Sequence, residues 1–484
     1  MKKPSPSTLG LIALALWLFR EALFFGGVFY KRDVHLVWHP QVEAFVRAVL
    51  GSAWPLWDPS LAFGQPLLAD PSAQVLYPLT WLNLLMRPWQ YYTLYAVLHF
   101  LLAAFGMRAL ARHLGLSPLA ALVATGVWTL SGPYLSMIDL WHHYAGASWL
   151  PFVVLAADRA LRGTRRDVAC FGVVLALQVL AGSADLCAMT LLLAAALGVV
   201  RHLDLRHPFS STNRAVLSRG MGGVLLAVGL SAALWMSALE IVSRASRASL
   251  PQGVRTYWSM HPLVALETVL PGLFTSLPLK VALRAAFFES REPFLASLYL
   301  GVGALGLVAA AAAASRHPLR GLLLAVLALA LLVALGPHTP VYGIVTALVP
   351  PLRVLRYPVK IMALVAFVWA LLAGLGVDVW RERLRGRAFG LTCACLALVL
   401  GLAASLAVAA ALAPEALASR LVDLPPGLKI AAVFGPFAVR FGVTASLAAL
   451  ALLLAFLQGS GRIDPRWAAS ALAALALLDL AVYH

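Results

Sequence analysis

Apolar runs of about twenty residues recur along this chain from Leu9 to Tyr483, with the charges gathered in short clusters between them. A run of that length crosses a bilayer core as an α-helix. Only 12% of the 484 residues are charged, against about 25% in ordinary globular proteins. Lipid rather than water must therefore cover most of the surface. Windows near 8–30, 91–111, 117–137, 143–161, 167–183, 185–200, 220–240, 294–314, 319–335, 358–379, 388–412, 437–457 and 466–482 predict an all-α, polytopic membrane protein. The count is about thirteen transmembrane helices, in a single transmembrane domain over 1–484.

The balance of 37 Lys+Arg against 20 Asp+Glu gives a net charge of +17. Its distribution excludes a nucleic-acid footprint, because the cations sit at alternate ends of the apolar runs. Arg108 and Arg112 follow the second run, Arg162, Arg165 and Arg166 the fourth, and Arg201, Arg206, Arg214 and Arg219 the sixth. Arg316 and Arg320, then Arg381 to Arg387, then Arg462 and Arg466 continue the alternation. With Lys2 and Lys3 this predicts a cytoplasmic N-terminus by the positive-inside rule and an outer C-terminus. The first run is too long for a signal peptide and lacks a small-residue cleavage site, so it reads as a retained span. The four cysteines have neither disulfide-framework nor metal-site spacing.

Two outer loops are long, 31–90 and 241–293, and two shorter ones cover 336–357 and 413–436. Long irregular backbone at a membrane is expected where it lines a cavity, which puts the candidate site on the outer face. In the first loop, residues 41–50 have apolar side chains at helical spacing with Glu43 and Arg47 opposite, a pattern suited to a helix lying at the interface. Asp33 follows the first span directly. Asp58 and Asp70 each precede a proline, where a carboxylate also caps turns. Arg353, Arg356 and Lys360 stand on an outer segment against the charge trend. Glu240, Arg244 and Arg247 form a second polar group, open to both site and salt-bridge roles. His39, His142, His143 and His338 lack metal-ligand spacing on one helix face, and structural or interfacial roles suit them better than ligation.

The order of motifs resembles the YfhO-like bacterial membrane proteins of the GT-C glycosyltransferase superfamily. Asp33 after the first span, Gly51 to Pro59 with Trp54-Pro55-Leu56-Trp57-Asp58-Pro59, and Gly64-Gln65-Pro66 match the first loop of that group. His99 to Gly115, Leu130-Ser131-Gly132-Pro133 and Ala147-Ser148-Trp149-Leu150-Pro151 resemble its next three spans. Leu335-Gly336-Pro337-His338-Thr339-Pro340 and Leu355-Arg356-Tyr357-Pro358-Val359-Lys360 resemble two later signatures. There are departures: Gly182-Ser183-Ala184-Asp185 replaces a histidine-bearing segment, and Ser243 and Arg244 are adjacent where relatives separate them.

The resemblance implies transfer of a sugar from a polyprenyl-phosphate donor to an extracytoplasmic cell-envelope acceptor, at the bacterial cytoplasmic membrane and with inversion. A phosphate leaving group needs cations rather than a general acid, and an acceptor hydroxyl needs one carboxylate base. The resemblance gives Asp33 the base role. Arg353, Arg356 and Lys360, with Arg244, Glu240, Asp58, Asp70 and His39, are the candidate substrate contacts. A divalent metal is compatible with that chemistry and not demanded by it. Two other functions fit the same residues: a transporter or flippase of a lipid-linked anion, and a non-catalytic assembly subunit. Against transport, no pair of Gly/Pro-interrupted segments repeats in two halves. Gly301-Val302-Gly303-Ala304-Leu305-Gly306 matches a dinucleotide pattern but lies inside an apolar run without a preceding strand. Small-residue helix packing explains it.

Overall fold

A computed structural model describes residues 6–61, 63–244 and 250–483. Lys2, Lys3 and Arg247 lie outside the described residues. Each of the thirteen apolar windows contains helix, although residues 25–30 and 294–301 within two of them do not. Six described helices are long and apolar enough to cross a membrane, or up to eight if Pro118–Thr129 with Gly132–Asp139 and Ser211–Leu230 with Ala232–Arg244 each count as one bent span.

The helix starts follow local chemistry. Ser117, Ser183 and Ser210 accept backbone N–H groups of Ala120, Leu186 and Asn213 respectively, satisfying donors that the first turn leaves open. Thr164 and Asp167 cap reciprocally: Asp167 accepts the Thr164 N–H at 2.7 Å, and Thr164 accepts the Asp167 N–H at 3.4 Å.

The chain divides into two compact units, 1–113 with 137–250 and 114–136 with 251–484. In the first, helix Trp141–Arg162 packs against Pro88–His113, Arg165–Leu180, Ala184–His202 and Ser211–Leu230. The contact side is small: Ala156, Ala157 and Ala160 meet Phe171 and Leu175, and small residues let helices approach closely where lipid removes the hydrophobic drive between them. The buried Asp158 carboxylate ties three of these helices together. It accepts from His113 Nε2 at 2.7 Å and His202 Nε2 at 2.9 Å, and pairs with Arg201 Nε at 2.9 Å.

The first loop belongs to this unit. Its helix, His39–Leu50, forms as expected, and the loop itself covers the apolar stripe: Ala44 and Phe45 pack on Leu67, Val75 and Trp81. Glu43 and Arg47 are exposed. Beyond it a two-residue antiparallel ladder pairs Trp57 with Pro66 and Asp58 with Gln65. Gly64, at φ +103°, is required here, since a Cβ would lie 2.5 Å from the Trp57 indole. Buried polar groups fix the rest of the loop to the bundle. Gln74 Nε2 donates to the Ala181 carbonyl at 2.7 Å, and the Trp141 indole donates to the Ser72 carbonyl at 2.6 Å. Tyr77 and His99 meet at 2.8 Å.

In the second unit, helix Met362–Trp380 is buried along its length among Pro118–Thr129, Val302–Ala314 and Arg320–Ala334. Gly376 allows the closest approach, because a Cβ would fall 2.0 Å from the Leu307 carbonyl. The helices Gly386–Leu412 and Ile430–Gly459 pack on each other and leave most of their apolar surface outward. The Gly301 to Gly306 pattern lies at a helix start packed on another helix: a Cβ on Gly303 would lie 2.6 Å from Ala476 Cα. The N–H groups that a phosphate would need there already bind the Asp479 carboxylate.

Candidate functional site

In the first unit the chain leaves helix Arg20–Phe24, runs irregularly to Tyr30 and turns at Lys31 and Arg32. Arg32 takes a left-handed backbone at φ +52°, a conformation costly for any residue that carries a Cβ. Asp33 then precedes a wide π-helical turn, Val34–Trp38. Such turns are rare and re-aim side chains at functional positions. Trp38 holds the turn in place, stacking on Tyr91 with centroids 6.0 Å apart and meeting Tyr92 edge-on at 4.6 Å.

A second carboxylate joins it. Asp139, at the end of a short 3-10 turn, lies within electrostatic range of Asp33, Lys31 and Arg32. Tyr92 feels both carboxylates, and its hydroxyl donates to the Ile138 carbonyl at 2.5 Å. Two acids and two cations thus share one small region of this unit. Sequence reasoning missed Asp139 because the apolar window ended at 137. The available signal was that it is the one carboxylate between Asp70 and Asp158, just after the Ser-Gly-Pro break.

The other candidates of this unit stand apart from that pair. Asp58 accepts the N–H and hydroxyl of Ser60 at 2.9 and 2.6 Å. Asp70 accepts the same groups of Ser72 at 2.9 and 2.7 Å, and the Gln41 amide at 2.9 Å. Both carboxylates cap turns of the loop. His39 lies 3.7 Å from Glu43, one helical turn on. Glu240 and Arg244 form an exposed ion pair at 2.9 Å, a geometry that contributes little to stability. His143 bonds Ser183 Oγ at 2.7 Å, and the His142 and His143 rings touch. Among the described residues, no group of three or more His, Cys, Asp or Glu side chains is placed to hold a metal ion.

In the second unit, Arg356 and Lys360 come together and Arg353 does not join them. Arg353 is exposed, and its Nε donates to the Thr346 carbonyl at 3.0 Å. Arg356 lies over the Tyr357 ring at 4.9 Å, and the buried Lys360 ammonium lies 5.1 Å from Tyr357 and 5.7 Å from Phe294. Tyr357, Trp258 and Phe294 form a ring cluster with separations of 4.6 to 5.5 Å. A further cation, Arg291, sits over Tyr257 at 4.0 Å and Trp258 at 5.2 Å. Behind the rings a cleft opens, lined by Met260, His261, Phe287, Phe288, Leu295 and Val359.

The backbone around this cleft is unusual. Trp258, Glu289, Ser290 and Tyr357 all have φ between +53° and +68°, and non-glycine residues hold that conformation only where their surroundings enforce it. The enforcing contacts are visible: Tyr357 N–H donates to the Arg255 carbonyl at 2.9 Å, and the Trp258 indole to the Glu292 carbonyl at 2.7 Å. Chemically, the cleft offers mainly apolar walls with Glu289 and His261 among them, and the cations stand outside its lining, held against the faces of neighbouring rings.

No protein-family model matches the chain, and no curated protein matches it significantly. Solved structures do. ArnT from Cupriavidus metallidurans bound to undecaprenyl phosphate aligns over 98% of this chain and 75% of that one, with a TM-score of 0.52 at 14% identity. The same enzyme in the apo state gives a TM-score of 0.50 at 16% identity with the same coverage. The mycobacterial arabinofuranosyltransferase AftD aligns over 95% of this chain and 27% of its own, with a TM-score of 0.47 at 17% identity. The chain is a polytopic, all-α membrane protein whose fold is similar to that of ArnT from Cupriavidus metallidurans.

Proposed function

We propose that this protein is an inverting membrane glycosyltransferase of the YfhO-like group, which moves a sugar from a polyprenyl-phosphate donor to an extracytoplasmic cell-envelope acceptor. The reading rests on Asp33, Lys31 and Arg32 lying within electrostatic range of Asp139. Asp33 takes the proton of the acceptor hydroxyl as that oxygen bonds the anomeric carbon. The bond from that carbon to the phosphate oxygen breaks in the same displacement, and the electron pair leaves with the lipid phosphate. A general base of this kind is worth about 10²–10⁴-fold in rate. The second carboxylate, Asp139, favours the positive charge that develops on the sugar ring.

For the carrier, Arg356 and Lys360 of the second unit, both held against the Tyr357 ring, supply charge-assisted contacts to a phosphate. That ArnT was solved with undecaprenyl phosphate bound supports a carrier of this class. The protein then resides in the bacterial cytoplasmic membrane with its N-terminus inside and the site outside, the arrangement its arginine alternation favours.

The test is transfer of radiolabelled sugar from polyprenyl-phosphate donors in proteoliposomes made with the full chain. Label incorporated into an envelope acceptor supports the proposal. Bound carrier without transfer from any hexose or pentose donor would overturn it.

A further inference from the structure

The first loop carries a surface that the transfer reaction does not use. Between Gly51 and Leu68 the only ionisable residue is Asp58. Its carboxylate is buried and bonded to Ser60, so this stretch shows water no charge at all. What it shows instead is apolar. Trp54, Leu56, Trp57, Leu61 and Phe63 are all exposed, Phe63 completely. Phe63 is held outward at φ +64° by the turn of the small hairpin. Soluble surfaces rarely gather large apolar side chains in this way without a partner.

The neighbourhood identifies the partner. Trp54 packs on Trp81 with ring centroids 6.1 Å apart. The segment Pro78–Leu84 that holds Trp81 runs through exposed Leu85 directly into the long apolar helix Pro88–His113. At that junction Arg87 lies over the exposed Trp89 ring at 5.2 Å. Trp and Arg at the end of a span mark the level of the lipid headgroups. The exposed apolar set of the hairpin is thus continuous with the membrane boundary of a span.

We propose that the hairpin Trp57–Pro66 is a membrane-inserting finger, with Phe63 and Leu61 at its tip, which seats the first loop on the lipid surface. Because the finger has no exposed cation, its insertion draws on apolar burial alone and is indifferent to anionic lipid. That separates it from basic amphipathic anchors, whose binding depends on lipid charge. The inference is independent of the transferase reading.

The experiment uses the full chain in proteoliposomes, with Cys170, Cys187, Cys393 and Cys395 replaced by Ala and an environment-sensitive fluorophore on Phe63→Cys. Arg206→Cys, in an exposed loop, serves as the aqueous control. The expected result is quenching of the Phe63 label by lipid-borne doxyl groups, with iodide quenching clearly weaker than at Arg206, as for a side chain below the headgroups. The values should be the same in zwitterionic and anionic vesicles. A lipid-borne diazirine on the native chain should also label 54–63, and Phe63→Glu should remove those adducts. Iodide quenching equal to the control with no adducts on the native chain would overturn the proposal. So would shielding that appears only when an envelope oligosaccharide is added, which would make the finger a glycan platform.

Discussion

Asp479 accepts the backbone N–H of Val302 at 2.6 Å, across 177 residues of sequence. The same oxygen takes the Gly303 N–H at 3.2 Å, and the other takes the Tyr299 hydroxyl at 2.6 Å. One buried carboxylate therefore caps helix Val302–Ala314 from the last helix of the chain. Asp479→Ala would take the carboxylate away from these buried donors, Val302 keeping only the longer bond to the Tyr299 oxygen at 3.2 Å, at a cost of about 1–3 kcal/mol. Thermal unfolding in detergent micelles should show a lowered midpoint, with Asp479→Asn intermediate because it keeps one acceptor. An unchanged midpoint in the alanine variant would refute the capping role.

Gly64→Ala should loosen the first loop locally. It places a side chain at φ +103° and drives a Cβ into the Trp57 ring, and a left-handed backbone alone costs an L-residue about 1–2 kcal/mol. Hydrogen exchange read by mass spectrometry should rise across 57–66 while the helices keep their protection. Unaltered exchange in the hairpin would count against the packing described for Trp57.

His261 gives the second unit a pH dependence. Burial, and then the charge of His338, hold its imidazole below the ordinary histidine range. The unfolded chain therefore binds a proton near pH 6.5 that the folded chain resists. Stability is fully present above that pH and is lost as pH falls through the window towards the folded value. The melting midpoint should drop between pH 7.5 and 5 less steeply in His261→Phe than in the native protein. Parallel slopes would contradict this.

Which of these features the sequence discloses depends on how far apart the partners lie. The apolar windows, the serine caps and helix His39–Leu50 rest on neighbours within a few residues, so they are legible. The 294–314 window reads as one helix, yet the chain stays extended until Gly301, at φ +91°, because Asp479 starts the helix at Val302. The first window likewise continues in composition through Tyr30, while the helix breaks after Leu18 and the chain turns at Gly26, φ +74°. At the candidate site, Asp33 is visible from its position after a span, and Arg356 and Lys360 from their place against the charge trend. Asp139, and the rings of Trp258 and Phe294 that hold the cations, become partners only through long-range packing that no local pattern encodes.

Arg356→Gln should weaken use of the lipid donor. Loss of one charge-assisted contact to phosphate removes about 1.5–3 kcal/mol, which is roughly 10–150-fold in KM for the donor. The half-buried Arg356 tests this more cleanly than Lys360, whose ammonium is packed against two rings. Donor titrations in proteoliposomes check it, and an unchanged KM would remove Arg356 from the carrier site.

In the proposed mechanism, Asp33 is the residue on which transfer turns. The direct measurement is the turnover of Asp33→Asn against the native chain in the same proteoliposomes, with binding of the polyprenyl-phosphate carrier measured alongside. Turnover lower by about 10²–10⁴-fold with carrier binding intact is the predicted outcome. Equal turnover in the two proteins would contradict it.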